Sequence, residues 1–260
     1  MSRHLAMRCA ALATLALSTA GAQHQPTIKQ WLAPGYPQEL AAAKTVDKLA
    51  WQGYEEGKRN VFFAAAPDFK SRRLTNFLTD DGTDLTNVEI SDDGSVVVFI
   101  RGSAPNREGW VANPSADPNG AERAIWAVKT AGGPAWRVAE GSNPELSPDG
   151  KWVLFVKDGQ VYRAAVDKAA QVDSMSRGLK PFIKEWGAQS NPRWSPDGSR
   201  IAFQTNRNDH SFIAIYDVKK RTVRYVAPFV DFDLSPTWSA DSRHIAFIRS
   251  EEHTSELQSL

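Results

Sequence analysis

Cysteine is nearly absent: the single copy among 260 residues is Cys9. It opens an apolar run, Cys9 to Leu17, that follows Arg3, His4 and Arg8 and precedes Ala20-Gly21-Ala22. A basic start, a short apolar centre and a small-x-small ending mark a secretory leader, so residues 1–22 read as a signal peptide cleaved before Gln23. The apolar run is too short to span a bilayer. A mature chain without cysteine has no disulfide and no thiolate metal ligand, and export without cysteine fits a bacterial periplasmic or secreted protein. Excess charge of either sign is missing as well. Lysine plus arginine number 31 against 30 acidic residues, and loss of Arg3 and Arg8 with the leader leaves 29. With no basic patch and no basic amphipathic helix, neither nucleic acid nor, after leader cleavage, a membrane is expected as a partner. No metal-ligand cluster, phosphate loop or dinucleotide fingerprint is legible, so no cofactor is expected.

What the chain does contain is a repeat. Asn87-Val88-Glu89-Ile90-Ser91-Asp92-Asp93-Gly94, Asn143-Pro144-Glu145-Leu146-Ser147-Pro148-Asp149-Gly150, Asn191-Pro192-Arg193-Trp194-Ser195-Pro196-Asp197-Gly198 and Ser235-Pro236-Thr237-Trp238-Ser239-Ala240-Asp241-Ser242 align without gaps. Proline presets φ at the first central position of a turn, aspartate bonds its own backbone, and glycine accepts positive φ. Each copy is therefore a tight reversal, and each is followed by a β-rich run: Val96 to Ile100, Trp152 to Val156, Ile201 to Phe203 and Ile245 to Ile248. The serines stand at 91, 147, 195 and 239, a period of one four-stranded propeller blade. Ile90, Leu146, Trp194 and Trp238 are placed to pack between blades. An earlier unit keeps the strand rhythm without the turn motif, at Leu49 to Gln52, Asn60 to Ala65 and Arg73 to Thr75.

The expected fold class is all-β: a partial β-propeller of four-stranded antiparallel sheets, about four blades plus the start of a fifth, over residues 41–248. Residues 23–40 form an N-terminal lead-in, a short helix and an extended stretch. Residues 102–122, rich in Pro, Asn, Gly and Asp, make a long loop within the second blade.

The repeated S-P-D-G-x-x-h-h-F pattern resembles the propellers of the prolyl oligopeptidase family of serine peptidases and those of TolB-like periplasmic proteins. The lead-in Pro26-Thr27-Ile28-Lys29-Gln30-Trp31-Leu32 and the stretch holding Asn106-Arg107-Glu108-Gly109-Trp110 resemble the peptidases, dipeptidyl peptidase IV-like members in particular. That resemblance implies a parent in which the propeller precedes an α/β-hydrolase domain and filters peptide substrates on their way to a Ser-His-Asp triad. No G-x-S-x-G elbow occurs in this chain, so no catalytic residue is assigned and the chain itself is not expected to hydrolyse peptides. Ser147, Ser195 and Ser239 are turn serines, and His210 and His244 read as surface or edge residues. The alternative is a TolB-like propeller that scaffolds protein–protein contacts without catalysis.

One motif is a candidate substrate site. Trp51-Gln52-Gly53-Tyr54-Glu55-Glu56 resembles the W-x-Y-E-E motif with which dipeptidyl peptidases hold a substrate amino terminus, with one extra residue in the spacing. Paired carboxylates suit an ammonium group. The competing reading of Glu55 and Glu56 is a polar hairpin turn. Finally, residues 249–260, with three glutamates and only two leucines, break the repeat. They resemble the in-frame translation of a sequencing adapter and are read as foreign to the natural protein, whose missing part would continue into the hydrolase domain.

Overall fold

Strand β6, Val96–Arg101, shows how the architecture arises. Val97 and Phe99 join one apolar cluster with Ala50, Val61 and Phe63, whereas Val96, Val98 and Ile100 join another with Val153, Phe155 and Tyr162. Both faces of the sheet are covered, so the strand is a continuous apolar run and does not alternate with polar residues. The same holds for β10, Trp152–Lys157, where Val153 and Phe155 face back and Leu154 faces forward to Ile201 and Phe203. Sheets stacked on both faces in chain order are the blades of a propeller.

The computed structural model describes residues 27, 36–118, 120, 121, 123–167, 178 and 180–250. All its strands lie in the unit spanning residues 35–260. The first blade is β1 (Tyr36–Ala42), β2 (Lys48–Glu55), β3 (Lys58–Ala65) and β4 (Arg72–Arg73). The second is β5 (Leu85–Ile90), β6, β7 (Ala124–Lys129) and β8 (Trp136–Glu140). The third holds β9 (Ser142–Leu146), β10 and β11 (Gln160–Ala165), with Ile183 bridging to Val161 on its outer side. The fourth is β12 (Ala188–Trp194), β13 (Arg200–Asn206), β14 (Ser211–Asp217) and β15 (Thr222–Val226). A fifth begins with β16 (Phe232–Trp238) and β17 (Ile245–Ser250), joined to the fourth by a single parallel pair, Ser211 with Phe232. The chain is thus a partial β-propeller, and no helix occurs among the described residues.

The repeat motif folds as its chemistry dictates. Ser195 Oγ donates to Asp197 Oδ1 (2.6 Å) and accepts from the Arg200 amide (2.9 Å), and Ser91, Ser147 and Ser239 make the equivalent bonds. The hydrogen bond from Ser195 holds the Asp197 carboxyl down at about 2. Gly94, Gly150 and Gly198 take φ of 65–68°, and Ser242 fills the same role at 61°.

Two boundaries differ from the sequence reading. Residues 36–40, assigned to the lead-in, belong to β1, so the first blade is a complete copy of the repeat. Its turn closes with the Ala43 amide on the Lys48 carbonyl (3.0 Å), as Ser91 closes on Val96. It escapes notice because Ala43 replaces the serine and no glycine follows. Only three strands of the third blade fall on described residues. At the far end β17 runs two residues past 248. The leader at 1–22, residues 23–26 and 28–35 of the lead-in with its expected helix, and residues 251–260 of the tail lie outside the described residues.

Candidate functional site at the inner strands

The first strand of each blade, β1, β5, β9, β12 and β16, lies beside its counterpart in the next. Each carries one extra residue at a bulge with positive φ: Glu39 (52°), Asn87 (53°), Asn143 (50°), Asn191 (48°) and Ser235 (53°). Asparagine tolerates this left-handed conformation better than most residues, which accounts for its place at the head of three repeat copies. A bulge turns the following side chain and leaves amides without a ladder partner. Here neighbouring blades supply part of what is missing. Asn143 Nδ2 donates to Asn191 Oδ1 (3.2 Å), the Val88 amide donates to Glu39 Oε2 (3.1 Å), and the Leu146 amide donates to Glu89 Oε2 (3.0 Å).

Two residues past the bulge, three blades present Glu89, Glu145 and Arg193. Arg193 Nη1 pairs directly with Glu145 Oε2 and lies 3.9 Å from Glu89 Oε1. Burial, and then the nearby Glu145 carboxylate, push Glu89 up to about 8. Burial also raises Glu145, against the pull of Arg193 and Lys44. Burial works against the charge on Arg193, but the two glutamates hold its guanidinium above its ordinary value. At neutral pH Glu89 is therefore a carboxylic acid, set beside the Glu145 carboxyl and the Arg193 guanidinium on adjacent strands. The group can accept hydrogen bonds from a peptide or an ammonium group. It has no nucleophile, and among the described residues no group of three His, Cys, Asp or Glu could hold a metal.

A testable consequence concerns pH. Glu89 has a folded-state pKa above its unfolded value, so its contribution is fully present below the unfolded pKa and is lost as pH rises through the folded one. Glu89→Gln keeps an oxygen for the Leu146 amide and removes the titration. Its unfolding free energy from urea titration should match the wild type near pH 4 and exceed it near pH 8, by on the order of 1–3 kcal/mol. Parallel curves would show that Glu89 titrates normally.

The sequence-derived candidates lie elsewhere. Glu55 ends β2 opposite Lys58, and Glu56 follows in the turn with φ of 49°, 3.7 Å from Lys58 Nζ. Both are exposed. Glu55 also lines a cavity of about 170 Å³ with Trp51, Tyr54 and Phe62, in which the Trp51 and Phe62 rings stack at 6.1 Å. The histidines are peripheral: His244 is largely exposed, and His210 Nδ1 is 2.7 Å from its neighbour Asp209. Glu89, Glu145 and Arg193 went unremarked in the sequence, although a charged residue at one repeat position in three copies is visible there.

No family model matches the sequence. By sequence the chain is 28% identical over 169 residues to probable dipeptidyl-peptidase 5 of Aspergillus niger; the match takes in 57% of this chain and 21% of that protein's length. By fold it is similar to a prolyl endopeptidase, with a TM-score of 0.56 and 15% identity, covering 82% of this chain and 30% of the other. It is similar also to TolB from Acinetobacter baumannii, with a TM-score of 0.52 and 17% identity, covering 84% and 55%. No helix among the described residues is long and apolar enough to cross a membrane.

Proposed function

We propose that this chain is the non-catalytic propeller portion of a secreted or periplasmic prolyl oligopeptidase-type serine peptidase, in which it gates peptide access to an α/β-hydrolase domain. The sequence likeness to a dipeptidyl-peptidase carries this reading, because the bladed fold alone is shared with TolB. The inner-strand group supports it: a protonated Glu89 beside Glu145 and Arg193 offers acceptors and donors for peptide backbone and holds no nucleophile. Glu55 and Glu56 are proposed to take the substrate ammonium in the parent. Glu55, on an aromatic-walled cavity, has the surroundings for that task.

The test is genetic and enzymatic. Reading the locus past codon 248 should reveal further blades and a G-x-S-x-G frame. The full-length product should cleave dipeptidyl chromogenic substrates, with KM raised in Glu55→Ala, whereas the 260-residue chain should not. A stop codon directly after codon 260 in an uncontaminated read would remove the peptidase reading and favour a scaffolding propeller.

A further inference from the structure

At two junctions between blades a long cationic side chain reaches forward onto the next blade's turn. Lys48 opens β2, lays its stem against Gly94 and donates from Nζ to the Asp93 and Gly94 carbonyls, at 3.4 and 3.2 Å. Arg200 holds the same place in the fourth blade, and its Nη2 donates to the Ser242 carbonyl of the fifth at 2.6 Å. The backbone fixes this correspondence. The carbonyls of Lys48, Val96, Trp152 and Arg200 each accept from the residue that opens their turn: Ala43, Ser91, Ser147 and Ser195. Such a side chain covers the blade face with its stem and satisfies a turn carbonyl with its head.

In the second blade the place belongs to Val96, which is too short to reach the third blade's turn and carries no donor. A Cβ added at Gly94 would come within 2.4 Å of the Lys48 stem, whereas one at Gly150 would meet only Ser91. The Gly94 carbonyl also accepts from Thr130 Oγ1 at 2.6 Å, but Val166 stands at that place in the third blade and has no hydroxyl. Where the staple is missing, a cavity of about 590 Å³ opens between the second and third blades, walled by Val96, Ala131, Trp136, Trp152 and Val166. At the next junction Trp152 takes the place, and the cavity there is about 290 Å³. The empty volume thus follows the reach of this one side chain. Lys129, Lys151 and Asp167 border the larger cavity and are exposed. Lys151 lies 3.9 Å from Asp149, a solvated pair that leaves its charge available.

We propose that this inter-blade cleft binds the anion of a medium-chain fatty acid. Its alkyl chain takes the volume that the stems of Lys48 and Arg200 fill at other junctions, and its carboxylate stays at the mouth with Lys129 and Lys151. Two ammonium groups against one carboxylate select an anion over an alkylammonium. Apolar walls in a cavity of ligand size select a chain over a small hydrophilic anion. The site is independent of the peptidase reading.

Decanoate below its micellar concentration is a suitable probe, followed by the indole ¹H–¹⁵N resonances of the whole chain, which has 9 tryptophans. The resonances missing in Trp136→Phe and Trp152→Phe identify these two. Decanoate should shift both saturably, whereas acetate and decyltrimethylammonium should not. Ala131→Phe, which fills the cleft from an exposed position, should weaken decanoate by about tenfold or more in calorimetry. The double variant Lys129→Gln/Lys151→Gln, also on the surface, should weaken it by a smaller factor. Val96→Lys should restore the staple and abolish binding, and Ala131→Phe remains informative if Val96→Lys does not fold. Unmoved Trp136 and Trp152 resonances, an equal response to decyltrimethylammonium or acetate, or unchanged affinity in Ala131→Phe or in the double lysine variant would each overturn the proposal.

Discussion

Phe155→Ala should lower stability by about 3–5 kcal/mol, whereas Phe247→Ala, at the same position of the fifth blade, should cost less than half as much. The aromatic residue eight places after each repeat serine falls at Phe99, Phe155, Phe203 and Phe247. The first three are fully buried, whereas Phe247 is only half-buried. Phe155 sits among Val98, Ile100, Ala127 and Val138 of the second blade and stacks on Tyr162 at 5.6 Å. It also lies directly over Gly141, where an added Cβ would come within 2.6 Å of the ring. Truncation removes the transfer energy of a whole ring and leaves a void between two sheets that cannot close without shifting both. Urea denaturation of the two variants gives the comparison. Equal losses would mean that the blades do not stack as described.

The turn regions were legible because their chemistry is local. Ser, Asp and Gly within four residues specify hydrogen bonds and a positive φ that need no knowledge of the rest of the chain, and Ser147 to Gly150 does what its sequence says. The first blade was only partly legible for the same reason reversed. Glu39 takes the left-handed bulge that asparagine fills elsewhere, and Ala43 closes the turn through its backbone alone, so neither residue type signals its conformation. The inner-strand group is a different case. Glu89, Glu145 and Arg193 are separated by whole blades in the chain, and they meet only because bulged first strands of successive sheets lie side by side. A charged residue on a strand predicts exposure in one sheet. It becomes a raised carboxyl only when the next blade brings a second carboxylate and takes away water.

The other large effect is expected where the fourth and fifth blades join. Asp233, on β16, is 1% exposed and carries a carboxylate that needs a partner. Arg249, on β17, supplies it in a two-pronged pair, Nε to Oδ1 at 2.7 Å and Nη2 to Oδ2 at 3.0 Å, and also donates to the Ala227 carbonyl at 2.7 Å. The backbone of Asp233 is held in turn by Ser211 Oγ from β14, at 2.8 Å. Exposed ion pairs contribute little, but removal of one partner from a buried pair strands the other charge. Arg249→Met, which keeps the aliphatic bulk, should therefore cost about 3–5 kcal/mol. The double variant Asp233→Leu/Arg249→Met removes both charges, and should recover much of that loss, because the penalty comes from the orphaned carboxylate rather than from the attraction itself. A double-mutant cycle in urea separates the two contributions. If Arg249→Met unfolds within about 1 kcal/mol of the wild type, as a solvent-exposed pair would, the Asp233 carboxylate is reached by water and the junction between these blades is looser than its geometry implies.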